Sequence, residues 1–366
     1  MSVFGRFFLP GPTEVRPEIL AAMNRPVIGH RGQDLSDLLR EADPRLRRLF
    51  ATERPVYVSS SSATGLMEAG VRNGVRRRAL SLVNGAFSTR FRDLVTDCGK
   101  EVESYEVPWG EAHDPQEVER RLRRGGFDAV TVVHSETSTG VLNPLKEIAE
   151  AVRAAERTTG EEILLLVDGV TSVGGGLVEA DAWKLDWLLT GSQKAMALPP
   201  GLAFGCASER MLARAATLPG RGQYFDLLEF DRYWSKHQTP NTPAVNLLYA
   251  LVEQLRYIDN EGVEARAQRH WSMARLAWNW AADAGARWGM SVLAPEGARS
   301  PTVTAYVLPE ELVGAPIVSR LKQRGYTIGA GYGKLKETTI RIGHMGDHTV
   351  AELERLLAEL EEVLAQ

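Results

Sequence analysis

Leu188–Gly205, LLTGSQKAMALPPGLAFG, sets a single lysine between two apolar runs. The first run stops at Thr190, a small polar turn carries Lys194, and after Pro199 and Pro200 a second run begins. Short apolar runs on both sides of a turn read as strands covered on both faces. A lysine delivered to such a place is paired, neutralised or used covalently, because taking an ammonium out of water is costly.

The same alternation extends upstream. RPVYVSS (54–60) precedes the helix-like TGLMEAGVRNGV (64–75), RALSLVNG (78–85) precedes STRFRDLVTDCG (88–99), and DAVTVVHSE (128–136) precedes LKEIAEAVRAAERTTG (145–160). EEILLLVDGV (161–170), LDWLLTGSQK (185–194) and GLAFGCAS (201–208) complete the set. Continuous apolar strands alternating with helices predict an α/β fold, a mostly parallel sheet sandwiched by helices. From residue 243 to 285 the pattern is helical, read as one or two helices leaving this unit. TVTAYVLP (302–309), APIVSRLKQRGY (315–326), TTIRIGHMG (338–346) and an amphipathic C-terminal helix (349–364) then predict a smaller α+β unit. The expected division is an N-terminal segment over 1–20, a large domain over 21–258 and a small domain over 259–366.

Composition excludes several classes of function. The 366 residues, 44% hydrophobic and 25% charged with a formal net charge of −4, suit a globular chain with no electrostatic bias toward nucleic acid or membrane. Cys98 and Cys206 form no CxxC pair, so neither a disulfide framework nor a metal site is expected. No signal-peptide pattern and no apolar run of roughly 20 residues is present, which points to the cytoplasm.

In a parallel sheet ligands bind beyond the C-terminal strand ends, so those residues are read for chemistry. Ser59–Ser62, Ala63, Thr64 and Gly65 form a hydroxyl-rich turn into a helix, either a phosphate site or ordinary N-capping. Phe87 follows the next strand, as a stacking surface or as core. His134, Glu136, Thr137 and Ser138 follow another, where a structural turn is the plain alternative. Asp168 ends four apolar residues and needs a cationic partner. With Lys194 it forms either a simple ion pair or the two ends of a pyridoxal phosphate site, in which lysine makes the Schiff base and the carboxylate keeps the ring nitrogen protonated. No GxGxxG or GxxxxGK[ST] follows the first strand, which argues against a nucleotide-binding domain.

FLPGPTEVRPEIL (8–20), GHRG (29–32), SSATGLMEAG (61–70), NGAFSTRF (84–91), HSETSTGVLNPL (134–145), VDGVTSVGG (167–175), GSQKAMALPPGLAF (191–204), QTPNTPAV (238–245) and RIGHMG (341–346) together resemble the fold-type I, class V aminotransferases. The likeness is strongest to the alanine–glyoxylate and serine–pyruvate (serine–glyoxylate) branch. It implies pyridoxal 5′-phosphate as cofactor, with Lys194 as Schiff-base lysine and proton carrier and Asp168 on the ring nitrogen. It also implies Val170 and Phe87 on the two ring faces, Thr137 and Gln193 near the ring hydroxyl or phosphate, and Ser62, Ala63 and Thr64 on the phosphate. Thr239 and Thr242 would reach the phosphate of the partner in a homodimer with shared active sites. Arg341 would clamp the substrate carboxylate, and Gly29, His30 and Arg31 would line the substrate pocket. The implied reaction moves an amino group from alanine or serine to glyoxylate or pyruvate. A phosphoserine or aspartate aminotransferase using 2-oxoglutarate is the alternative, and a cysteine desulfurase-type lyase a weaker one.

Overall fold

Leu164–Asp168, Trp187–Gly191 and Ala203–Ala207 are buried at every position, as continuous apolar runs must be when helices cover both faces of a sheet. The computed structural model describes residues 4–366, so the first three residues of the N-terminal segment expected at the active site lie outside the described residues. In chain order the strands are β1 (Phe7–Phe8), β2 (Val56–Ser59), β3 (Arg78–Val83), β4 (Glu101–Glu106), β5 (Ala129–Val133), β6 (Ser135–Glu136) and β7 (Val141–Leu142). They continue with β8 (Leu164–Asp168), β9 (Trp187–Gly191), β10 (Ala203–Ala207), β11 (Ser291–Val292), β12 (Thr304–Val307), β13 (Thr327–Ala330) and β14 (Thr339–Ile342). The helices are α1 (Pro17–Ala22), α2 (Gln33–Phe50), α3 (Ala63–Gly74), α4 (Ala86–Asp97), α5 (Pro115–Leu122) and α6 (Leu145–Thr159). The remainder are α7 (Glu209–Thr217), α8 (Leu227–Trp234), α9 (Val245–Glu261), α10 (Val263–Ala282), α11 (Gly314–Gln323) and α12 (Val350–Leu364).

The large sheet has the order β2-β10-β9-β8-β5-β3-β4. It is parallel throughout except at β10, which runs against both β2 and β9. β4, EVESYE, has no counterpart among the expected strands. It is an edge strand whose side chains are mostly exposed or half-buried, so its charged residues hide the apolar signal on which strand recognition rests.

The smaller sheet has the order β1-β13-β14-β12-β11, and its edge strand β1 comes from the N-terminus, pairing in parallel with β13. The long helical region resolves into two helices, α9 and α10, which break at Gly262 with φ +86. The expected boundary after residue 258 falls inside the last turn of α9. One apolar core lies around the large sheet and a second joins β12–β14 to α10, α11 and α12, whose Leu353, Leu356, Leu357, Leu360 and Val363 are all buried there. Ala195, Val303 and Met345 pack together between them. No helix among the described residues is long and apolar enough to cross a membrane.

Candidate active site

Parallel pairing brings the chemistry to one edge. Val133 of β5 lies opposite Asp168 of β8, and Asp168 lies opposite Leu189 of β9, so Thr137, Asp168 and Lys194 leave the sheet on the same side. Because β10 returns antiparallel, Ser59 of β2 and Gly191 of β9 both sit opposite Ala203, which sets the Ser62–Thr64 turn at that edge too. The result is a cleft whose wall includes Ser62, Ala63, Thr64, Phe87, Thr137, Asp168, Val170, Gln193 and Lys194.

The lysine turn is tied from within. The Ser192 hydroxyl donates to the Pro199 carbonyl (2.7 Å) and accepts from the Leu202 amide (3.2 Å), closing the loop that the two prolines redirect. A Cβ on Gly191 would stand 2.6 Å from Gln193 Oε1, the movable end of that side chain, and 3.3 Å from the Ala63 Cβ. Lys194 and Asp168 share the cleft without forming the simple ion pair that the sequence left open. The lysine Nζ donates to the Pro10 carbonyl, and Asp168 Oδ1 accepts from the Val170 amide at 2.8 Å.

Two buried charges with no mutual bond are electrostatically exposed. Burial, reinforced by Glu136 and opposed by the Val170 amide, pushes the Asp168 carboxyl up to about 7. Burial, aided by the Arg341 guanidinium, brings the Lys194 amine down to about 7. Burial likewise lowers Arg341 to about 10. Such perturbation of an acid and a base on one cleft is a mark of a functional site.

The first turn is not the ordinary side-chain cap of Ser62 that the sequence left open. Ser62 occupies the N-cap position of α3 at the cleft, and its side chain makes no capping hydrogen bond, while its carbonyl accepts from the Gly65 amide at 3.0 Å. Ser59 and Ser61 bond each other at 2.9 Å, and Ser60 Oγ accepts from the Ala244 amide at 2.8 Å, so these serines are structural.

Phe87 is positioned by a residue that the sequence reading left as a turn. Glu136, fully buried, accepts from the amides of Phe87 and Ser88 at the start of α4 (3.2 and 2.9 Å) and from the Ser88 and Ser138 hydroxyls (3.0 and 2.6 Å). A carboxylate at a helix N-terminus meets both the open amides and the positive end of the dipole. Gly85 makes room for it, since a Cβ there would lie 2.3 Å from Glu136 Cγ and Cδ. Gly85→Ala is therefore expected to destabilise the protein by about 1–3 kcal/mol by overpacking, as measured by denaturant unfolding.

The other expected residues divide. Thr137 Oγ shares a 2.5 Å hydrogen bond with Thr171 Oγ, and its carbonyl accepts from Arg341 Nη1 at 3.1 Å. Arg341, 8% exposed, comes from β14 of the smaller sheet and also donates through Nε to Ala330. Arg341 is not itself part of this cleft wall, and neither are Gly29, His30, Arg31, Thr239 and Thr242. Arg31 donates to the Pro240 carbonyl (2.9 Å) and to that of Thr239 (2.5 Å), and lies 4.9 Å from the Tyr233 ring, which joins the 29–31 turn to the TPNTP loop on the outside of the chain. Thr239 is buried and spends its hydroxyl on the Asn241 carbonyl (2.7 Å), whereas Thr242 is exposed.

Several cleft groups escaped the sequence reading. Arg90 lines the cleft 5.0 Å from the Phe87 ring, and its i+3 spacing from Phe87 on α4 was the available signal. Tyr332 stacks on Phe87 with centroids 5.5 Å apart, and Thr171 joins the wall. Neither cysteine does: Cys206 is buried in β10 with its thiol pushed up to about 12, and burial also raises Cys98 at the end of α4. A thiol nucleophile for a lyase is thus missing from the cleft.

A buried acid, a buried amine and a helix N-terminus lie around one cleft, the parts that the sequence resemblance to the class V aminotransferases calls for. Comparison with known proteins agrees. The aminotransferase class-V profile matches residues 28–304, and the chain belongs to that family. It is 39% identical over 345 residues to an uncharacterized aminotransferase of Methanocaldococcus jannaschii, covering 92% of this chain and 87% of that one. It is 34% identical to the serine–glyoxylate aminotransferase of Methylorubrum extorquens, covering 93% and 86%. The crystal structure of an alanine–glyoxylate aminotransferase from Nostoc superposes with a TM-score of 0.91 at 31% identity, covering 100% and 96%. The chain is an aminotransferase, and its family is generally dependent on pyridoxal phosphate.

Proposed function

We propose that this enzyme binds pyridoxal 5′-phosphate and moves the amino group of a small amino acid, alanine or serine, to glyoxylate or pyruvate in a ping-pong cycle. The observation that carries the reading is the cleft in which Asp168 and Lys194 are both buried and unpaired. The residues fit the cofactor group by group. A ring nitrogen that carries a proton supplies the cation Asp168 lacks, and covalent attachment removes the cost of a buried ammonium. The amides at Ser62, Ala63 and Thr64 suit the phosphate, Phe87 and Val170 the ring faces, and Thr137 and Gln193 its polar edge.

When bound, the cofactor supplies an electron sink for the substrate α-carbon. The chain supplies the rest. Asp168 holds the ring nitrogen protonated. Lys194, with its amine brought near neutrality, takes the proton from the substrate α-carbon and returns it at the cofactor C4′. Arg341 binds the substrate carboxylate, because a guanidinium offers two parallel donors.

The outward TPNTP loop and the 29–31 turn belong to the same proposal. In a homodimer with shared sites, Thr242, exposed where Thr239 is internally bonded, is the better donor to the partner's cofactor phosphate, and Gly29, His30 and Arg31 enter the partner's substrate pocket with it. The division into an N-terminal segment, a large and a small domain, and a cytoplasmic location free of nucleic acid and membrane, complete the reading.

The test is a half-reaction screen that follows the visible band of the loaded enzyme with alanine, serine, phosphoserine, aspartate and glutamate. Fast conversion with alanine or serine is the expected result. Fast conversion with phosphoserine and none with alanine or serine would replace this assignment by the phosphoserine alternative. Arg341→Ala is expected to raise KM for the amino acid about 10- to 100-fold, the loss of one charge-assisted contact, with the cofactor band retained. Loss of the band instead would make Arg341 a structural residue.

A further inference from the structure

The N-terminal segment is fastened at one end to the sheet that carries Arg341 and at the other to the lysine turn. At one end Phe7 and Phe8 pair with Thr327 and Ile328 of β13, and the Phe8 carbonyl accepts from the Gly343 amide at 2.8 Å, two residues beyond Arg341 on β14. Leu9 and Pro10 then lie against those strands where glycine leaves room. A Cβ on Gly343 would stand 2.5 Å from the Leu9 carbonyl oxygen, and one on Gly329 would stand 2.9 Å from Pro10 Cδ.

At the other end the Pro10 carbonyl accepts from Lys194 Nζ, and the Thr13 amide donates to the Gln193 carbonyl at 2.9 Å. Gly11, with φ +105, passes so close to the lysine that a Cβ would lie 2.6–2.7 Å from its Cδ, Cε and Nζ. The charged groups facing the amine are Asp168 from β8, Glu136 from β6, Arg90 from α4 and Arg341 from β14. None of them is hydrogen-bonded to Nζ, so the carbonyl is the direct partner of the free amine.

We propose that the Pro10 carbonyl is a positioning group for Lys194: it receives the amine whenever the lysine is free, and the 7–13 segment couples its position to the sheet that carries Arg341. The inference rests on the transaminase reading, in which a substrate amine displaces the lysine in each half-reaction and the lysine must then stay within reach of the α-carbon. A main-chain carbonyl accepts a hydrogen bond best from a charged donor, so it favours the ammonium form. Displacement of the segment by its far end should therefore reach the lysine, even though no group in the cleft has changed.

Gly329→Ala is the direct test, because its new methyl crowds Pro10 Cδ (2.9 Å), makes only ordinary contact with the Arg341 carbonyl (3.4 Å) and does not meet Lys194. In the folded cofactor-free chain, reductive methylation with formaldehyde across a pH series reports the protonation of each lysine, and the Lys194 peptide is quantified by mass spectrometry against exposed Lys322. The midpoint for Lys194 is expected to fall by about 0.5–1 pH unit in Gly329→Ala. Adding Pro10→Ala, which removes the clashing Cδ and keeps the carbonyl, should return it toward the unmodified value. A folded Gly329→Ala protein with an unchanged midpoint, or an equal shift in Pro10→Ala alone, would overturn the proposal. If Gly329→Ala does not fold, Gly343→Ala gives the same decision, since its methyl meets Leu9 and Pro10 and not Lys194, and an unchanged midpoint there also overturns the proposal. Formation of the visible band when the unmodified protein meets pyridoxal phosphate is read separately: without that band the cofactor reading fails, whatever the methylation profile shows.

Discussion

Lys194→Ala is expected to lower transamination by at least about 10⁴-fold, the upper range for a lost proton-transfer group, and to abolish the band of covalently held cofactor. Lys194 is the lysine of the cleft wall, set there by the Ser192-tied turn after β9. Burial brings its amine down to about 7, which leaves a large fraction unprotonated at neutral pH and able to act as nucleophile and base. Alanine keeps the turn, because Ser192 and the two prolines hold it without the lysine side chain. Stopped-flow assay of the half-reaction together with far-UV circular dichroism separates a lost reaction from a lost fold. A variant retaining more than a few per cent of the rate would mean that another group moves the proton.

Asp168→Asn has the second largest expected effect, and it has opposite signs for activity and for stability. Activity should fall about 10²- to 10⁴-fold, because a neutral amide cannot hold the ring nitrogen protonated. The cofactor-free protein should become more stable. The carboxyl sits near 3.8 when exposed and is pushed up to about 7 by burial in the fold, so the folded chain binds the extra proton and its stability falls as pH rises through that interval. The gain from asparagine is accordingly absent below pH 4, grows from 4 to 7 and stays constant above, reaching about 1–4 kcal/mol. Val170 can still donate to the remaining oxygen, so the turn after β8 survives. Urea unfolding of both cofactor-free proteins at pH 4 and pH 8 measures the difference. A variant less stable at pH 8 would mean that the carboxylate has a cationic partner in the cofactor-free state.

These two residues were legible in the sequence because Asp168 ends an apolar run and Lys194 sits in the short turn between two, where a charge is conspicuous and physically unwelcome. The parallel sheet was legible for the same reason, and the resemblance added the family and the order of parts. Groups whose meaning comes from contacts far apart in the chain were not. Glu136 looked like a turn residue, since its service to the start of α4 depends on amides about fifty residues upstream. The N-terminal strand β1 is two residues long, and only pairing with β13 makes it a strand. Arg31 looked like a pocket residue, while within one chain its guanidinium serves the carbonyls of Thr239 and Pro240. Local periodicity carries none of this.

The most direct measurement is to load the protein with pyridoxal phosphate, reduce it with borohydride and locate the modified lysine by peptide mass spectrometry. A phosphopyridoxyl group on the Lys194 peptide, near one per chain and absent after Lys194→Ala, is the predicted result. Attachment at another lysine, or no attachment and no visible band, would contradict the assignment of this cleft.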